Sequence, residues 1–180
     1  MFRYAAKVSL LTLSWIPVAI TVSEHVGHVG RIQGSSMKPT LNPDSSLGWS
    51  DYVFLWKWGL RDNNSMKVGD VVLLRSPTDP EKILIKRVLG VAGDEILTRA
   101  PYPKPRCPIP TNHLWVEGDN IHSVDSNNFG PVSTGLVIGK ATRIVFPPSR
   151  FGPMPTTGGR EARIAELKKQ AGLGPDAAAE

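Results

Sequence analysis

The 180-residue sequence predicts a mainly β body behind one N-terminal helix. From about Gly30 to Pro147 the pattern is β-like, with short runs rich in β-branched and aromatic residues that Gly, Pro, Asn and Asp punctuate. A charge-free apolar stretch, 8–23, precedes them. With 17 Gly and 16 Pro the chain is turn-rich, and 41% hydrophobic residues suffice for a core.

The apolar stretch is flanked by Arg3 and Lys7 and interrupted by Pro17. It is shorter than the roughly 20 residues that cross a bilayer comfortably. A buried core helix and a cleaved signal peptide compete with a single-pass anchor. The anchor is expected, because Lys7 can snorkel and Tyr4 and Trp15 suit an interface. The basic flank then holds the N-terminus on the cytoplasmic or matrix side and sends the rest across. Residues 1–29 are read as membrane anchor, 30–147 as one domain, and 148–180 as a flexible tail. The Pro/Gly/Thr-rich stretch 147–159 reads as a linker, with a short helix over 160–170 and a frayed end over 174–180.

Within the domain, strands are expected over 52–58, 70–74, 82–89, 95–97, 114–117 and 136–146. The run 52–58 is largely apolar on both faces: Val53, Leu55 and Lys57 on one, Tyr52, Phe54, Trp56 and Trp58 on the other. Either the strand is buried on both sides, or its aromatic face meets lipid headgroups.

Composition narrows the function. The formal charge of +5 is spread along the chain with no dense basic block, which argues against a nucleic-acid module. Cys107 stands alone, so an internal disulfide is excluded and a zinc site would lack thiolate pairs.

Chemistry enters at Gly34-Ser35-Ser36-Met37-Lys38-Pro39-Thr40. Gly34 permits a tight turn and Pro39 fixes the exit of the chain. A serine on such a bend can be exposed beside free backbone N–H groups that would bind an oxyanion. Serine needs a base. His122, near Asp119 and Asp125, would give one version, a Ser–His–Asp triad. Lys86 gives the other, flanked on its strand face by Leu84 and Val88. A lysine at its reference pKa of about 10.4 is neutral in only about one part in a thousand near pH 7.4. An apolar setting disfavours the ammonium and favours a base.

The ordered segments GSSMKPT, VGDVV (68–72), KRVLGVAGD (86–94) and GDNIHSVDSNNFGPV (118–132) resemble the type I signal peptidase family over roughly 8–146. The short spacing between Ser36 and Lys86 resembles its compact organellar branch. The resemblance implies a body of two small antiparallel sheets behind a transmembrane helix. It implies Ser36 as nucleophile, Lys86 as base, Ser123 as the hydroxyl that orients Lys86, and Asp125 as a structural carboxylate. The oxyanion would rest on the Ser36 N–H. Gly34 stands where bacterial members often carry a hydroxyl, Asn127 where they often carry Arg, and Ala92 where a proline is frequent. Asp70, Gly93, Asp94, Gly118 and Asp119 read as turn scaffold.

The implied activity is removal of sorting or signal peptides by a membrane-bound serine endopeptidase without metal or organic cofactor. The implied setting is a heteromeric complex with a related catalytic subunit in the mitochondrial inner membrane, the domain facing the intermembrane space. A non-catalytic stabilising subunit and a bacterial-type signal peptidase are the alternatives.

Overall fold

The computed structural model describes residues 12–43, 48–60, 65–156 and 158–160. Helix α1 (Ile16–His25) leads into β1 (Gly27–Arg31). The strands β2 (Tyr52–Trp56), β3 (Val71–Arg75), β4 (Ile83–Gly90), β5 (Glu95–Leu97), β6 (Arg106–Pro108) and β7 (His113–Glu117) follow. A four-residue helix α2 (Ser126–Phe129) precedes β8 (Val132–Ser133), β9 (Val137–Phe146) and β10 (Gly152–Pro153).

The sheets differ from the expected pair of small ones. Among the described residues, one antiparallel sheet of eight strands runs β1-β2-β9-β3-β4-β7-β8, with β10 on β9, and only the β5–β6 hairpin stands apart. The long β9 is the reason. One edge takes β2, while the other takes β3 near Gly139 and β10 at Arg143 and Ile144. Register shifts in the β2–β9, β3–β9 and β4–β7 pairs add local twist, so the sheet curls.

Curling gives β4 a buried environment on both faces, and Ile85 through Val88 are all buried. Ile85 joins Ile32, Met37, Leu41, Val53, Leu55 and Val71 in one core cluster. Val88, with Leu84 beside it, joins Val72, Leu74, Leu114 and Val116 in a second.

Strand β2 buries one face only. Val53 and Leu55 are inside, whereas Tyr52, Trp56 and Trp58 are exposed. Helix α1 likewise buries none of its residues. Among the described residues no helix is long and apolar enough to cross a membrane, and 1–11 of the expected anchor lie outside those described.

The beginning of the expected tail is tied to the sheet. Strand β10 pairs with β9, and Arg150 binds the Asp51 carboxylate and donates to Thr40 O at 2.6 Å. Glycine and proline here shape a close-packed strap, where the composition alone suggested a linker. The helix expected over 160–170 and the end 174–180 lie outside the described residues, Arg160 excepted.

Candidate active site

Gly34 starts the turn after β1 with φ +87°, a conformation that suits glycine. Lys38 N–H donates to Ser35 O and Leu41 N–H to Met37 O, winding 35–41 into tight turns. Met37 and Leu41 drive into the first core cluster. Their burial turns Ser36, half-buried between them and the surface, toward a groove of about 580 Å³. Ser36, Lys86 and Ser123 all line that groove, with Gly34, Ser35, Asn120, His122 and Ile85.

The Ser36 hydroxyl donates to Ile85 O at 3.4 Å, the carbonyl preceding Lys86. Lys86 is 2% exposed, and its Nζ lies 2.6 Å from Ser123 Oγ. Ser123 Oγ in turn donates to Val124 O at 3.4 Å. The Ser123 proton is thus turned to a carbonyl, and its lone pairs face the lysine.

Asn120 fastens the two loops together. Its backbone N–H donates to Ser36 O and its Nδ2 to Ser35 O, both at 3.0 Å. Gly118 completes the contact. A Cβ at that position would lie 2.2 Å from Ser123 Oγ and 2.4 Å from Ser36 O. Only glycine lets the loop 118–123 approach the nucleophile turn so closely. The sequence reading of Gly118 as turn scaffold therefore undervalues it.

Asp125 does not reach into the groove. It caps α2: its Oδ1 accepts from Asn127 N–H at 3.0 Å, and Asn128 Oδ1 accepts from Asp125 N–H at 3.1 Å. Its Oδ2 also accepts from Gly118 N–H at 3.4 Å. Asn127 Nδ2 donates to Asp125 Oδ1 at 2.9 Å and to Glu117 Oε1 at 3.0 Å.

Asp119 is a correction. It is no turn residue but the buried partner of Arg87, whose Nε and Nη2 donate to its two oxygens at 3.0 and 2.8 Å. That engagement also weakens the triad alternative. His122 is exposed, and both nearby carboxylates, Asp119 and Asp125, are committed elsewhere.

Glu117 had no role in the sequence reading, although it adjoins the Gly-Asp-Asn run. Its carboxylate is fully buried and takes Arg99 at 2.5 Å, Arg160 at 2.9 Å and the Trp115 indole at 2.9 Å. Burial alone would push this carboxyl up. The hydrogen bonds from Arg160, Trp115 and Asn127, with the Arg160 charge, outweigh it and hold the pKa at about 2. Among the described residues no cluster of His, Cys, Asp and Glu could hold a metal ion.

Comparison with known proteins identifies the family. Residues 5–102 match the family described as signal peptidase, peptidase S26. The chain is 49% identical over 145 residues to the mitochondrial inner membrane protease subunit 2 of Saccharomyces cerevisiae, covering 80% of this chain and 82% of that one. It is 45% identical over 137 residues to the human subunit 2, covering 76% and 77%. Against subunit 1 of Mus musculus it is 36% identical over 151 residues, covering 82% and 87%. By its matched residues, its curled antiparallel body and these relatives, the chain belongs to the signal peptidase family, peptidase S26, and is a peptidase of that kind.

Proposed function

We propose that the chain cleaves sorting or signal peptides from proteins delivered to the mitochondrial intermembrane space, with Ser36 as nucleophile and Lys86 as general base. The observation that carries this reading is the buried lysine. Lys86 lines the groove that holds Ser36, and its Nζ is 2.6 Å from Ser123 Oγ.

The chemistry follows from the neighbours. A lysine acting as general base must be neutral to accept a proton. A neutral Lys86 that donates one N–H to Ser123 keeps its lone pair for the Ser36 proton. Ser36 Oγ then bonds the scissile carbonyl carbon as its proton passes to Lys86 Nζ. The Ser36 N–H has no acceptor among the described residues and is available to the oxyanion. The tetrahedral species collapses, the C–N bond breaks, and Lys86 returns the proton to the leaving amine. Water, giving a proton to Lys86, then attacks the Ser36 ester; the C–Oγ bond breaks, Lys86 hands that proton to Ser36 Oγ, and the carboxyl product leaves.

The setting we infer is a single-pass anchor that ends before β1, since 27–29 belong to the sheet, in the mitochondrial inner membrane with the domain in the intermembrane space. The support is an apolar α1 that buries nothing in the body, and an exposed aromatic face on β2. Similarity to both subunits of the inner membrane protease supports a heteromeric complex with a related catalytic subunit.

Because two related subunits share the complex, the test assigns cleavage to this chain. Complexes purified with wild-type chain or with Ser36→Ala are incubated with a panel of precursors. Expected is loss of cleavage for one class of precursor while assembly and the remaining cleavages persist. Full cleavage of every precursor by the Ser36→Ala complex would make this chain a non-catalytic stabilising subunit.

A further inference from the structure

The last described residues wrap behind the site. Arg87, next to Lys86 but on the opposite face of β4, is 1% exposed. Besides its paired bonds to Asp119, its Nη1 donates to Gly69 O and Pro155 O, each at 2.8 Å, and to Thr156 O at 3.4 Å. Gly159 N–H donates to Asp119 Oδ1 at 2.8 Å. Gly158 lies against the guanidinium, and a Cβ there would sit 2.4 Å from Nη2. One step further on, Arg160 Nη2 donates to Glu117 Oε1 at 2.9 Å and also engages Leu97 O.

The tail therefore grips Glu117 and Asp119, the residues on either side of Gly118. Gly118 in turn sits against Ser123 Oγ and Ser36 O with no room for a methyl group. Buried charges of this kind hold one geometry when paired and become costly when a partner is removed. Displacing the tail would take an arginine from Glu117, an N–H from Asp119 and two carbonyls from Arg87. The segment 117–119 would then relax, and Ser123 would shift from Lys86.

We propose, on the Ser36–Lys86 reading, that Pro155, Thr156, Gly158, Gly159 and Arg160 form a latch that positions Ser123 against the base. Arg160 is its positioning residue. It acts through Glu117 and Gly118 and has no direct part in bond making.

A mutant cycle in the full-length chain within its complex separates this role from plain stability. kcat and KM for a precursor are measured for wild type, Arg160→Ala, Ser123→Ala and the double variant. Arg160→Ala lowers kcat on the order of 10- to 100-fold and leaves KM within about twofold, and Arg160→Lys recovers part of the rate. On the Ser123→Ala background the same change costs less than about threefold, because the contact it positions is already gone. Should Arg160→Ala fail to assemble, Arg160→Gln, which keeps donors and loses the charge, takes its place in the cycle. A wild-type rate for the Arg160 variant, or an equal loss on both backgrounds, overturns the latch. A fully active Ser123→Ala overturns it as well. Retained cleavage in Ser36→Ala would instead sink the active-site reading beneath it.

Discussion

Lys86→Arg abolishes cleavage as completely as Lys86→Ala, although it keeps a long nitrogen-bearing side chain. Arginine cannot be deprotonated in proteins, so it offers no lone pair to the Ser36 proton. Its planar guanidinium also does not reproduce the single 2.6 Å contact that the Lys86 amine makes with Ser123 Oγ. Members of a catalytic unit fail together, and the loss of kcat is on the order of 10⁴-fold or more. Where a residual rate is measurable, its pH dependence decides the cause. The wild-type rate rises with pH, because the base works only when neutral. The arginine variant loses that rising limb. An arginine variant within about tenfold of wild type would mean that Lys86 serves only as a charge.

Gly118→Ala is the second large effect. The added methyl would lie 2.2 Å from Ser123 Oγ, 2.5 Å from Ser123 Cβ and 2.4 Å from Ser36 O. A backbone carbonyl cannot swing away as a flexible side chain can, so the loop 118–123 and the nucleophile turn must part. Displacing reacting groups by about 1 Å costs on the order of 100-fold. kcat is therefore expected to fall by that order. Gly152→Ala is the control, since nothing lies within 4 Å of a Cβ there. Equal rates for the two variants would contradict the close approach of the two loops.

The strands with the strongest apolar runs were legible in the sequence. The expected stretches 52–58, 70–74, 82–89, 95–97, 114–117 and 136–146 each overlap an observed strand, 95–97 at both ends and the others to within two residues. The misses have local causes. β1 carries Gly27 and Gly30, whose missing side chains let Leu55 of β2 pack close, and its sequence follows straight from an apolar helix. β6 contains Pro108, and β10 is Gly-Pro, so neither shows alternation. α2 has poor helix formers and exists because Asp125 caps it. The arrangement into one curled sheet depends on both edges of β9, which no local pattern encodes.

The residues lining the groove were legible for a different reason. Ser36, Lys86 and Ser123 lie in short motifs whose order carried the resemblance. Their supports were not. Gly118 and Asn120 look like any turn, and Asp119 like any loop acid, until the fold sets them against Ser36 and Arg87. The Arg160–Glu117 pair joins positions far apart in sequence, across a stretch whose composition resembles a linker.

The most direct measurement traps the covalent intermediate. The purified complex is mixed with a precursor-derived peptide ester, quenched in acid within the first turnover, and its chains are weighed intact and after digestion. An acyl adduct on this chain, mapped to Ser36 and absent from Lys86→Arg, is the predicted result. An adduct found only on the partner subunit, with Ser36 unmodified, would contradict a Ser36–Lys86 active site in this chain.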